Sequence, residues 1–119
     1  MPMDKPQLGR SGISVSVLGL GCNNFGVAID IDETRDVVHA ALDLGVTLFD
    51  VADVYGGRGK AEEFLGYILG PKRKDIVLAT KFGLAMMDNT KNINASRNYI
   101  MRAVEDSLRR LRTEWIDLY

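Results

Sequence analysis

Leu48-Phe49-Asp50-Val51-Ala52-Asp53-Val54-Tyr55-Gly56 decides the architecture, together with Ile76-Val77-Leu78-Ala79-Thr80-Lys81 further along the chain. Both stretches begin as continuous apolar runs, the pattern of strands buried on both faces. Both close on a charge, Asp50 in one and Lys81 in the other. In a parallel sheet these ends emerge at the same edge. Neighbouring strands lie ~5 Å apart, so a carboxylate and an ammonium there can pair. Tyr55 stands five residues after Asp50, in a Gly-rich loop over that edge. A positive charge beside a phenol favours the phenolate, and a phenol tuned in this way is a usable general acid near neutral pH.

Working outward, the same alternation of strand and helix continues on both sides. Gln7 to Val15 reads as two short strands around a Gly-bounded turn. Val17 to Gly21 reads as a buried strand that opens into the loop Cys22-Asn23-Asn24-Phe25-Gly26. Asp32 is placed to cap the next helix, whose Val37, Val38, Ala41 and Leu42 share a face and which Gly45 ends. A second helix is expected from Gly59 to Leu69, with Phe64, Leu65, Ile68 and Leu69 on its apolar side and Gly70-Pro71 as its stop. Residues 83–95 read as a polar loop, with Met86-Met87 either lining a substrate entrance or, the commoner case, tucked against a helix. Ser96 caps a third helix carrying Ile100, Val104, Leu108 and Leu111. Trp115 to Tyr119 reads as a fourth strand with Trp115 mostly buried. A β-hairpin followed by βαβαβαβ implies parallel strands and right-handed crossovers. Every candidate site segment follows a strand, at the edge where α/β proteins bind ligands.

Composition sets bounds on this reading. The 119 residues form one domain at most, with a net charge of −1 and 46% hydrophobic residues. That charge argues against a nucleic-acid or anionic-membrane surface. The single cysteine, Cys22, excludes an internal disulfide and fits a reducing compartment. No apolar core marks a signal peptide in residues 1–10 and no run matches a membrane helix, so a cytoplasmic setting is expected. Gly19-Leu20-Gly21 is no dinucleotide fingerprint, because Asn24 stands where the third Gly belongs. Gly59-Lys60-Ala61 lacks the hydroxyl residue and upstream Gly of a P-loop. His39 is expected on a helix surface, and no metal site is indicated. Arg102, Arg109, Arg110 and Arg112 interleave with Glu105 and Asp106, which reads as a solvated face of ion pairs. On pattern alone, Asp50 and Lys81 fit a structural ion pair as well as a catalytic one.

These motifs, in order and at compatible spacings, resemble the N-terminal part of an aldo-keto reductase. Leu8 to Ser16 is similar to the hairpin that plugs the bottom of that family's barrel. Gly19 to Gly26 resembles its first cofactor-facing loop, Leu48 to Gly56 its signature around the catalytic Asp and Tyr, and Ala79-Thr80-Lys81 its catalytic Lys strand. The resemblance implies the N-terminal half of a (β/α)8 TIM barrel, preceded by a β-hairpin and truncated after strand 4, with residues 1–119 forming part of a single barrel domain. It implies an NADPH-dependent oxidoreductase (NADH is the alternative cofactor) that reduces aldehydes or ketones to alcohols. Carried over by residue, Tyr55 is the proton donor, Lys81 tunes it, and Asp50 holds Lys81 and touches the cofactor end of the site. Gly21, Cys22 and Asn23 then lie along the nicotinamide ribose.

The departures are specific. Cys22 and Val51 stand where the family usually has Thr, and Ala61 where it has Ser, which deprives the second helix of a side-chain cap. Cys22 reads as a small buried replacement rather than a reactive thiol. The family's catalytic His, which follows strand four, has no counterpart here, and His39 cannot replace it. The 119 residues alone are therefore expected to be inactive. Their open strand edges are expected to pair with a C-terminal half or with a second copy. Two other readings share the scaffold: a binding or regulatory protein similar to potassium-channel β subunits, and a small open-sheet ligand-binding module.

Overall fold

The structure is a computed structural model that describes residues 2–84, 86 and 93–119. Met87 and most of the polar loop expected at 83–95 lie outside the described residues. The elements run β1 (Gly19–Gly21), α1 (Ile31–Asp43), β2 (Leu48–Asp50), α2 (Tyr55–Leu69), a 3-10 turn (Gly70–Asp75), β3 (Val77–Ala79) and α3 (Arg97–Leu111). The three strands are parallel in the order β1-β2-β3, with Leu20, Phe49 and Leu78 in one row across the sheet. Because side chains alternate along a strand, that row faces the helices. Phe49 and Leu78 are fully buried there, among Val38, Leu65, Leu69 and Leu111. In the helical layer α1 packs on α2 and α2 on α3.

The opposite face corrects one expectation. Leu48 and Val77 are only half buried and Asp50 is exposed, so the strands are not covered on both sides. The layers of side chains that would fill the inside of a closed barrel are not supplied by these residues.

The edges differ from expectation too. Residues 7–14 make a single antiparallel bridge, Gln7 with Ser14, rather than two strands. That turn is pinned to the sheet by buried Ser16. Its Oγ accepts from the Thr47 and Leu48 amides at 2.8 and 3.2 Å, and its own amide donates to Thr47 Oγ1 at 3.0 Å. The segment therefore closes the N-terminal end of β2, opposite Asp50. The fourth strand reduces to one parallel bridge, Ala79 with Leu118. Asp117 Oδ2 accepts from the Leu78 amide at 2.8 Å, the place a ladder carbonyl would take. Trp115 is 45% exposed, not mostly buried, and the Arg73 guanidinium lies over its ring at 4.3 Å.

Helix caps follow local chemistry. Asp30, not Asp32, caps α1: its side chain accepts from the Glu33 amide at 2.9 Å, and Glu33 returns the bond to the Asp30 amide at 3.0 Å. Asp32 instead pairs with Arg35 at 2.7 Å. Val38 and Ala41 are buried as expected, whereas Val37 turns out to solvent. Ser96 caps α3 by accepting from Tyr99 N at 3.2 Å. Among the described residues no side chain caps α2, and its regular turns start only after Gly56, Gly57, Arg58 and Gly59, all at positive φ.

Candidate active site

Asp50 is the last residue of β2 and Lys81 stands two residues past β3, so parallel pairing sets them side by side. Lys81 Nζ donates to Asp50 Oδ1 at 2.6 Å, to the Val51 carbonyl at 2.7 Å and to Tyr55 Oη at 3.4 Å. An ammonium has three protons, and these contacts occupy all of them. Partial burial works against the charge of Lys81. The hydrogen bonds to Asp50 and Tyr55 and the Asp50 charge outweigh it, and the pKa of Lys81 is raised. Lys81 is thus held as a cation across the neutral range, its charge aimed at the Tyr55 phenol.

Tyr55 reaches this point because its amide closes a turn onto the Ala52 carbonyl at 3.2 Å and the chain then winds left-handed. Gly56 is required there. At φ +75° a Cβ would stand 2.5 Å from both the Ala61 amide nitrogen and the Phe25 carbonyl oxygen. Phe25 is itself buried, so the first loop and the Tyr55 loop pack on one another.

Gly21 ends β1 and Cys22 and Asn23 follow it at the same edge, joined to the site by the Cys22 amide donating to the Asp50 carbonyl at 3.0 Å. Gly21 and Asn23 are exposed, and the space beside Gly21 is open: a Cβ there would have Asn23 Oδ1 as its nearest neighbour, at 3.8 Å. The Cys22 side chain is fully buried. Burial and then the Asp50 charge push its thiol up to about 12, so this residue offers a ligand its backbone only. His39 is exposed on α1, beside a hollow it shares with Leu42, Asp43 and Lys72, and plays no part in the site.

Behind Asp50, Tyr55 and Lys81 lies a buried polar cluster that the sequence reading missed. Glu62 on α2 is fully buried. It accepts from Thr80 Oγ1 at 2.6 Å and from Arg110 Nε at 2.7 Å. Arg110 is therefore no part of a solvated face, and Arg112 lies over the Tyr67 ring at 3.8 Å; among the four arginines considered, Arg109 makes the expected helical pair, with Asp106 at 2.8 Å. Asp53, 2% exposed, sits in the turn between Asp50 and Tyr55, and its Oδ2 has no hydrogen-bond partner among the described residues. Burial, then the Glu62 charge, pushes the Asp53 carboxyl up to about 6, against the pull of Arg110. A carboxylate in register with Leu65 and Leu69 on one helical face was the available sequence signal for Glu62.

Among the described residues no group of three His, Cys, Asp or Glu side chains is placed to hold a metal, and no helix is long and apolar enough to cross a membrane. Residues 17–119 match the model of the aldo/keto reductase family. The chain is 39% identical to the uncharacterized oxidoreductase YqkF of Bacillus subtilis, over 98% of its own length and 38% of that protein's. It is 38% identical to a probable voltage-gated potassium channel subunit beta of Oryza sativa, again over 98% of its own length and 36% of the relative's. The holo form of aldo-keto reductase AKR11C1 from Bacillus halodurans superposes with a TM-score of 0.87 at 42% identity, covering 98% of this chain and 39% of that one. The chain thus spans well under half the length of the relatives it matches, and its strands and helices are a partial β/α barrel. On the family match and these likenesses, the 119-residue chain belongs to the aldo/keto reductase family.

Proposed function

We propose that Asp50, Tyr55 and Lys81 serve the reduction of an aldehyde or ketone to an alcohol, with NADPH as reductant and NADH as the alternative. The observation that carries this reading is the Lys81 ammonium, set between Asp50 Oδ1 at 2.6 Å and Tyr55 Oη at 3.4 Å. Because all three of its protons are spent on protein atoms, Lys81 acts through Tyr55 rather than on a substrate. A fixed positive charge stabilises the phenolate left when Tyr55 gives its proton to the carbonyl oxygen. Asp50 keeps the ammonium charged and in place.

The residues at the edge of β1 fit a nicotinamide group. Gly21 leaves an open ledge beside its strand partner, the half-exposed Asp50, and Asn23 offers an exposed amide. When bound, that cofactor supplies the hydride. The chain's own residues orient the carbonyl and deliver the proton.

The test is NADPH oxidation with a simple aldehyde by the protein expressed from its own reading frame. Tyr55→Phe should abolish turnover and leave nucleotide affinity intact. Undiminished turnover by that variant refutes Tyr55 as proton donor. The potassium-channel relative motivates a second reading, a binding or regulatory subunit on the same scaffold. Nucleotide binding with no turnover in the wild-type protein, and no effect of Tyr55→Phe, would favour it.

A further inference from the structure

We propose that Glu62 is a positioning residue for the Tyr55–Lys81 pair. One buried carboxylate ties Thr80, the residue before Lys81, to α2 and to α3. The inference rests on the proposed roles of Tyr55 and Lys81, and goes beyond them.

Asp50 and Lys81 have side chains that are 51% and 45% exposed, so solvent and their own contacts leave them room to move. What holds their backbone lies behind them. Thr80 and Lys81 are consecutive in extended chain and point to opposite sides. Lys81 faces the site, and Thr80 faces inward, donating to Glu62 Oε1 at 2.6 Å. The other Glu62 oxygen receives Arg110 Nε at 2.7 Å, and Arg110 also reaches Ser107 Oγ at 3.5 Å.

The Arg110 side chain lies across the left-handed turn that follows Tyr55, where a Cβ on Gly59 would stand 2.9 Å from its Cδ. At Gly66 a Cβ would run into the Arg110 carbonyl oxygen, so α2 and α3 are in backbone contact. The turn on the other side is stitched as well: the Asp53 amide donates to the Lys81 carbonyl at 3.1 Å and the Val51 amide to the Ala79 carbonyl at 2.9 Å. Both segments that carry the proton-handling groups are thus braced against one carboxylate. An apolar side chain in that place would fill the space and supply no direction. Buried ion pairs are weak contributors to stability and are often replaced by apolar residues without loss. The directional bonds are therefore the part of this cluster that packing alone does not explain.

That property supplies the test. In the protein expressed from its own reading frame, Glu62→Leu with Arg110→Met removes the charges and keeps the volume, and Thr80→Val removes one hydrogen bond alone. Two quantities are followed. One is the split between kcat and KM for carbonyl reduction. The other is the acylation rate of Lys81 relative to exposed Lys72, read by peptide mass mapping.

The double variant should fold and lose about tenfold to a hundredfold in kcat, the scale of a small misplacement of catalytic groups. KM should be unchanged and Lys81 should acylate several-fold faster. Thr80→Val should move both readouts the same way by less. Folded variants with wild-type kcat and wild-type Lys81 acylation overturn the proposal. If the double variant does not fold, Thr80→Val decides on the same criteria. If the wild-type protein reduces no carbonyl, the reductase reading fails by itself, and the acylation ratio still decides the role of Glu62.

Discussion

Asp53→Asn should make the protein more stable at neutral pH and no more stable at acid pH. Asp53 is buried, faces Glu62, and has Oδ2 without a partner among the described residues, so its charged form is disfavoured in the fold. Its carboxyl is pushed up to about 6 from 3.8, a gap of roughly two units, and each unit is worth ~1.4 kcal/mol. Ionised Asp53 therefore costs the fold up to ~3 kcal/mol. The sign follows from proton binding. Between about pH 4 and pH 6 the folded state holds more protons than the unfolded one, so stability from this group falls as pH rises. Its cost is complete above the folded value and absent below the unfolded one. An amide at this position removes the titration and brings a constant contribution of its own, so the slope rather than the level is diagnostic. Urea midpoints of wild type and variant, followed by circular dichroism from pH 4 to pH 8, give the difference directly. A gain for the variant that grows from about pH 4 to about pH 6 and then levels off is expected. A difference that stays flat across that range, or that favours the wild type increasingly as pH rises, refutes the burial of a strained carboxylate here.

Arg73→Ala should lower stability by ~3 kcal/mol, because it strips the 3.0 Å pair with Asp117 and the 2.7 Å bond to the Trp115 carbonyl that hold the last residues against β3; a thermal melt within a degree or so of wild type would contradict this. Asp30→Ala should cost ~1 kcal/mol through loss of the reciprocal cap, whereas Asp32→Ala should stay within ~0.5 kcal/mol, and parallel urea titrations rank the two. Gly56→Ala should destabilise by at least ~2 kcal/mol and reduce turnover more than nucleotide affinity, since it drives a Cβ into the backbone at Ala61 and Phe25; equal turnover per folded molecule would show that the Tyr55 turn tolerates displacement.

The meeting of Asp50, Lys81 and Tyr55 was legible because it depends on few things: two apolar runs, a parallel pairing, and a fixed offset along the chain. The core row Phe49 and Leu78 follows from the same runs. What escaped was set by side-chain competition and by depth. Asp30 and Asp32 are both acids near the start of α1, and only the reciprocal bond with Glu33 chooses between them, a spacing present in the sequence as Asp30-Ile31-Asp32-Glu33. Trp115 was expected to be buried as the start of a strand, but pairing there reduces to one bridge at Leu118, which no local pattern reveals. Arg110 looked like one more surface cation on α3 until Glu62 of α2 lay opposite it. The family resemblance pointed at Asp50, Tyr55 and Lys81 and left the buried acids behind them unmarked.

Cys22 has one further consequence. The 119 residues contain a single thiol, fully buried where the first loop meets Asp50, and it keeps its proton up to about 12. A thiol in that state does not react with alkylating reagents, since the thiolate is the reactive form. Modification must wait for the loop to lift. The rate at which the sulfur is labelled therefore counts openings of the floor beneath Asp50, and any ligand that settles on Gly21 and Asn23 should slow that count. The protein carries its own reporter for occupancy, at an atom that takes no part in the chemistry.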